Sequence, residues 1–144
     1  MSDLSLKDLS KKMAKLDFAM LNTRSSVNGL TARPMSNNGD VEYDGDSYFF
    51  AYGSSNKVSE IRSDNNVSLT YTGAVGMLGG SPLFITVEGN ASLIDDKSQF
   101  EEHWTKDLDR YFPEGIDTPD IVMIAVRAKN IRYWDGADEG SISL

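Results

Sequence analysis

Ser54, Ser55 and Lys57 lie in Tyr48-Phe49-Phe50-Ala51-Tyr52-Gly53-Ser54-Ser55-Asn56-Lys57-Val58-Ser59-Glu60-Ile61, where an apolar strand passes through a Gly-Ser-Ser turn into a helical pattern. Two hydroxyls, an ammonium group and the unbonded N–H groups of a helix N-terminus, converging on one spot, make a cradle for a phosphate. The segment is neither familiar phosphate motif: Gly-x-x-x-x-Gly-Lys-Ser/Thr is absent, and no Gly-x-Gly-x-x-Gly follows a strand. Taken alone, the segment fits a plainer role better, with Ser55 as a helix cap and Lys57 as a solvated surface residue.

Other chemistries have less to work with. The chain has no cysteine, which excludes disulfides, thiolate catalysis and cysteine-bound metal. Its single histidine, His103, lies in the acidic stretch Glu101-Glu102-His103-Trp104 and reads as a helix surface residue. A Ser-His-Asp triad or a histidine metal site would have to use it, and one histidine without cysteine argues against zinc. No metal ligands and no catalytic side chains are assigned.

The elements that must position the cradle fit one domain over residues 1–144, with 1–4 and 137–144 as loose ends. A net charge of −8 argues against nucleic acid as a partner, because phosphate backbones need a basic face. No charged-then-apolar leader and no membrane-length apolar run is visible, so a cytoplasmic location is the default expectation, with no membrane partner.

Residues 5–16 read as a helix with Leu6, Leu9, Met13 and Leu16 on one face and Ser5 with Asp8 as its capping box. Strands are expected over Asp17–Thr23, Leu30–Met35 after an Asn28-Gly29 turn, Ser47–Tyr52, Val67–Thr72, Leu83–Ile94, Ile121–Val126 and Asn130–Asp135, the last as a separate strand or an extension. The strand carrying Pro34 is expected to end there or to lie at an edge, and Gly89 is expected to mark a bulge or a barrel bend. A short strand over Val41-Glu42-Tyr43 is possible, and the glycine-rich Gly73–Pro82 reads as a connection between antiparallel strands. A short helix carries Val58 and Ile61. A longer one, capped by Asp96 and Gln99, presents Phe100, Trp104, Leu108 and Tyr111. Six or seven strands on short links predict an α+β, mainly antiparallel barrel rather than a parallel sheet.

These elements, in this order, resemble the FMN-binding split β-barrel of the pyridoxamine 5′-phosphate oxidase superfamily, and more narrowly its bacterial general-stress-protein branch. The resemblance covers roughly Leu9 to Asp135. It rests on Thr31-Ala32-Arg33-Pro34-Met35, on Tyr48 to Ile61, on Phe84-Ile85-Thr86-Val87-Glu88-Gly89-Asn90-Ala91 and on Ile131-Arg132-Tyr133-Trp134-Asp135-Gly136. It implies a homodimer with flavin mononucleotide in a groove between subunits. Arg33 and Lys57 would then hold the phosphate, with Ser55 completing the cradle. Phe50 and Ala51 would run along the ring or ribityl chain, Pro34 and Met35 would approach the ring, and Phe84 would face it. Trp134 would come from the partner subunit.

Two departures narrow this expectation. Asn56 stands where the oxidases carry arginine, and the segment after Trp134, Asp-Gly-Ala-Asp-Glu-Gly-Ser-Ile-Ser-Leu, lacks a grip for a phosphorylated pyridoxal substrate. A true pyridoxamine-phosphate oxidase is therefore not expected. The resemblance implies an FMN-binding protein, with FAD as a variant cofactor. Its further implication is a flavin-dependent oxidoreductase taking hydride from a nicotinamide donor. The alternatives are a non-catalytic flavin, deazaflavin or haem binding or storage module, and a ligand-free dimeric interaction domain.

Overall fold

The computed structural model describes residues 4–25, 27, 29–37, 42–73 and 82–144. Seven strands form one antiparallel sheet: β1 (Phe18–Ser25), β2 (Gly29–Ser36), β3 (Asp46–Tyr52), β4 (Asn66–Gly73), β5 (Leu83–Ile94), β6 (Ile121–Asp135) and β7 (Asp138–Ser143). Their order is β2-β1-β4-β5-β6-β3, with β7 also on β6. Three α-helices flank the sheet: α1 (Leu6–Met13), α2 (Asn56–Ser63) and α3 (Lys97–His103). β2 and β3 end the path without pairing to each other, so the sheet stays open between them. This is the expected split-barrel architecture of α+β class.

Local signals account for most of these elements. Ser5 and Asp8 exchange side-chain-to-backbone bonds of 3.1 Å in each direction, the capping box that starts α1. The helix buries Leu9 and Met13 and ends at Met13, short of the expected residue 16. β1 alternates, with Ala19, Leu21 and Thr23 inward and Phe18 and Met20 exposed. Gly29, at φ +73°, opens β2 opposite Ser25, while Asn28 of the expected turn lies outside the described residues. Pro34 sits in the edge strand β2, where its missing N–H costs no ladder bond.

β6 runs unbroken for 15 residues, so the last two expected strands are one. Along β5 its register passes from Glu88↔Asn130 to Gly89↔Ala128, leaving Lys129 without a partner there. A Cβ at Gly89 would lie 2.1 Å from the Arg127 carbonyl oxygen, which is why the bulge needs glycine.

Some expectations give way. α3 stops at His103 instead of continuing to Tyr111. Trp104 is extended (φ −72°, ψ 136°), and a short 3₁₀ helix follows over Lys106–Arg110. The break lets Phe112 return to a cluster with Phe50 and Phe100, where the Trp104 ring meets Phe50 at 4.8 Å and Phe112 at 5.8 Å. Residues 137–144 are no loose tail. A two-residue turn with Gly136 at φ +65° leads into β7, which pairs with Asn130–Asp135. Gly140 makes room for buried Tyr133, whose hydroxyl accepts a bond from the Leu4 N–H at 2.9 Å. Glu42 and Tyr43 are not strand; Val41, residues 1–3 and residues 74–81 lie outside the described residues.

The main core joins the inner strand faces to α1 and α2, while the Phe50 cluster fills the space between β3, β6 and α3. Among the described residues no helix is long and apolar enough to cross a membrane.

Candidate functional site

The turn after β3 is built to present the start of α2. The Gly53 N–H donates to the Asp120 carbonyl at 2.6 Å, and the Ser54 N–H donates to the Asp120 carboxylate at 3.0 Å. Asp120 holds this position at φ +63°, and a Cβ on Gly53 would come within 2.6 Å of its carboxylate oxygen. Glycine at 53 is therefore a requirement of this close approach. Val58 and Ile61, both buried, fix α2 to the core behind the turn.

Ser55 occupies the N-cap by its backbone (φ −71°, ψ 155°), but its hydroxyl makes no capping bond. Its Oγ is buried and has no hydrogen-bond partner among the described residues. Such an atom costs free energy unless something completes it. The first turn of α2 carries no acidic residue, so the N–H groups there and the positive end of the helix dipole lack the usual side-chain complement.

Lys57 follows in that first turn. Partial burial, and secondarily the nearby Arg33 charge, hold its ammonium group below the usual lysine range. Among the described residues no ion pair includes Lys57. A cation desolvated beside another cation, next to an orphaned hydroxyl and a helix N-terminus, is chemically complementary to an oxyanion.

Arg33 lies on the inner face of β2, opposite Leu21, and reaches α2. Its Nη1 donates to the Leu21 carbonyl (3.2 Å) and Thr23 Oγ1 (2.6 Å), and its Nη2 donates to Thr31 Oγ1 (2.8 Å) and Glu60 Oε1 (3.0 Å). The residues that hold it, Thr23, Thr31 and Glu60, were missed by the sequence reading. Their one signal was the pairing of Thr23 with Thr31 across the expected hairpin.

The other expected site residues divide. Asn56 is exposed beside Lys57. Met35 is buried on the inner face with Ala19, and Pro34 is exposed on the outer face with Met20. The side chains of Phe50 and Ala51 belong to the two cores, so only the unpaired backbone edge of β3 is free to meet a ligand there. Phe84 and Trp134 are cross-strand partners on β5 and β6, 44 % and 38 % exposed, and are separated from β2 in the sheet by β1 and β4. Within one chain, then, Ser55, Lys57 and Arg33 come together, and Phe84 with Trp134 form a separate pair.

His103 is not a free surface residue. Its ring stacks on Tyr48 at 3.6 Å, at the end of β3 far from Ser55. The stack borders a cleft of about 190 Å³ shared by α1, the end of β2 and the start of β3, with Ser10, Met13, Asn37 and Tyr43 in its walls. Among the described residues no group of three or more acidic or histidine side chains is placed to hold a metal ion.

The open antiparallel sheet thus carries a lysine, an arginine and a helix N-terminus at the turn into α2. The sequence matches the model of the pyridoxamine 5′-phosphate oxidase like family over residues 5–144. The chain belongs to that family. Among solved structures, the family member is similar to a protein related to general stress protein 26 of Bacillus subtilis from Clostridium acetobutylicum (TM-score 0.77, 18% identity, 98% of this chain and 97% of that one). It is also similar to general stress protein 26 from Bacillus anthracis (TM-score 0.75, 21% identity, 98% and 100%). A third likeness is to a heme binding protein from Mycobacterium smegmatis (TM-score 0.76, 13% identity, 99% of this chain and 60% of that one). At these identities the likeness is one of fold. Comparison with curated proteins gives no match.

Proposed function

We propose that the chain binds flavin mononucleotide as a homodimer and acts as an FMN-dependent oxidoreductase of the general-stress type, using a nicotinamide donor. The observation that carries this reading is the buried Ser55 Oγ, without a hydrogen-bond partner among the described residues, two positions before Lys57, a lysine in no ion pair among them. A terminal phosphate supplies what both groups lack. Arg33 borders the same spot, and the free edges of β2 and β3 offer backbone groups along which a flavin can lie.

The register supports the dimer. Met20 pairs with Pro34 and Thr70, Thr70 with Thr86, and Thr72 with Phe84, itself opposite Trp134. Phe18, Met20, Pro34, Phe84 and Trp134 therefore share the outer face of the sheet, all exposed. A second copy packed on this face covers that apolar surface and brings Phe84 and Trp134 toward the opposite flavin.

When bound, the flavin supplies the redox chemistry. The chain's own residues bind its phosphate, fix its orientation and shield it from water. No catalytic histidine or cysteine is required. FAD is accommodated only if the groove leaves room beyond the phosphate. Haem is a weaker fit, because the sole histidine is engaged in the stack with Tyr48.

The test is the visible spectrum of purified protein after addition of FMN and removal of the excess. A retained oxidised-flavin spectrum, with NAD(P)H oxidation on adding an acceptor, supports the reading. Retained flavin without turnover leaves a binding or storage module. No retained flavin and no thermal stabilisation by FMN or FAD overturns it, and a Soret band on adding haem would point to the haem alternative.

A further inference from the structure

We infer that Glu60 sets how strongly this site distinguishes a phosphorylated flavin from its unphosphorylated form, a specificity role that rests on the flavin reading of the cradle. Glu60 Oε1 accepts bonds from Thr23 Oγ1 at 2.7 Å and Thr31 Oγ1 at 2.8 Å, and lies 3.0 Å from Arg33 Nη2. Three donors thus converge on one carboxylate oxygen. The arginine is equally committed, with both terminal nitrogens bonded within the protein. Of the five N–H donors of a guanidinium, the one on Nε makes no bond among the described residues and is the one a ligand could take.

The charge balance follows. Arg33 is neutralised by Glu60, so two cations and one anion border the cradle, and Lys57 is the uncompensated charge. A phosphate monoester near neutral pH carries about −1.5 to −2. The site is therefore short of positive charge by roughly one unit, and the shortfall is the Glu60 carboxylate.

That carboxylate is not free to swing away. Turning it out leaves Thr23, 1 % exposed, and Thr31 only the 3.1 Å contact between their hydroxyls, so that one of them loses its acceptor, and strips a largely buried guanidinium of its counter-ion. Glu60 thus holds Arg33 in place while weakening the grip on phosphate. Glutamine at 60 keeps an acceptor oxygen for all three donors and removes only the charge.

The experiment titrates apo-protein with FMN and with riboflavin and follows flavin fluorescence. The ratio of the two affinities cancels effects on folding and on ring binding. In Glu60→Gln the preference for FMN over riboflavin widens by roughly tenfold, the scale of removing one unit charge near an anion at a partly exposed site. Glu60→Met, a second neutral replacement, widens it in the same direction, so the idea does not hang on one variant folding. Glu60→Asp, which keeps the charge, stays near the native ratio. Native protein that prefers FMN, with an unchanged ratio in both neutral variants, overturns the role of Glu60 and leaves the flavin reading standing. Native protein that binds neither flavin, or both equally, overturns the phosphate assignment of the cradle and this inference with it.

Discussion

Glu60 stands one helical turn beyond Lys57 on α2, yet its carboxylate engages Arg33 at 3.0 Å, and the lysine is in no ion pair among the described residues. The spacing permits a Lys–Glu contact along the helix. Two threonine hydroxyls on the β1–β2 hairpin draw the carboxylate the other way. The two cations thus differ in kind: Arg33 is tied into the fold, and Lys57 is in no ion pair among the described residues.

Lys57→Ala is expected to lower FMN affinity about 10- to 100-fold, the worth of a charge-assisted hydrogen bond. Riboflavin binding and stability should hardly change. Arg33→Ala should also weaken FMN binding, but with a lowered Tm, because it leaves Glu60 unpaired. Isothermal titration and thermal melts separate the two, and a double variant binding FMN as tightly as the native chain would falsify the site.

Ser55→Ala should move stability and binding in opposite directions. Removing the orphaned hydroxyl stabilises the apo-protein by about 1 kcal/mol, since no bond is lost and a desolvation cost is relieved. FMN affinity should fall several-fold. A variant less stable than the native protein would show that the hydroxyl already has a partner.

The acid limb of stability should carry a Glu60 component. The Thr23 hydroxyl foremost, then Thr31 and Arg33, hold its carboxyl below its ordinary value of 4.5. A depressed folded-state pKa contributes stability that is full above that ordinary value and is lost as pH falls through the lower, folded one. Subtracting the Glu60→Gln profile from the native one cancels the other carboxylates. The difference should be largest near neutrality and shrink below pH 4.5. A flat difference would mean that charge plays no part in what Glu60 does for the fold.

Phe84→Glu should yield monomers by sedimentation and protein that does not retain flavin. The substitution puts a charge in the exposed apolar face shared with Met20 and Trp134. At Thr72, opposite Phe84 on the same face, Thr72→Ser should leave both properties intact.

What the sequence disclosed was what is local. The place of Ser55 and Lys57 at the start of α2 was legible because a strand, a turn and a helix start follow one another directly, and the bulge at Gly89 because glycine inside a strand pattern marks a bulge or a bend. Thr23, Thr31 and Glu60 were not, since a hydroxyl or carboxylate on a surface pattern looks solvated until strand register and helix placement bring three of them onto Arg33. The long α3 failed for a related reason. Helical periodicity counts Trp104 into one stripe but does not register the competing attraction of Phe112 for Phe50. β7 was overlooked although Asp135-Gly136 is a hairpin signal and Ser141-Ile142-Ser143 alternates. The surrounding acidic residues made the segment read as a tail.

β6 carries β5 along one edge, and divides the other between β3, over Ile121–Arg127, and β7, over Asn130–Asp135. The Lys129 irregularity falls between those two ladders. One strand, late in the chain, therefore completes the hydrogen bonding of three others. During synthesis β3 has no mate until Ile121–Arg127 emerges from the ribosome, long after β3 itself, while β1, β2, β4 and β5 can already pair in the order β2-β1-β4-β5. The nascent chain carries the aromatic run Tyr48-Phe49-Phe50 without its β6 partner through that interval, an unpaired strand of the kind that invites association with other chains.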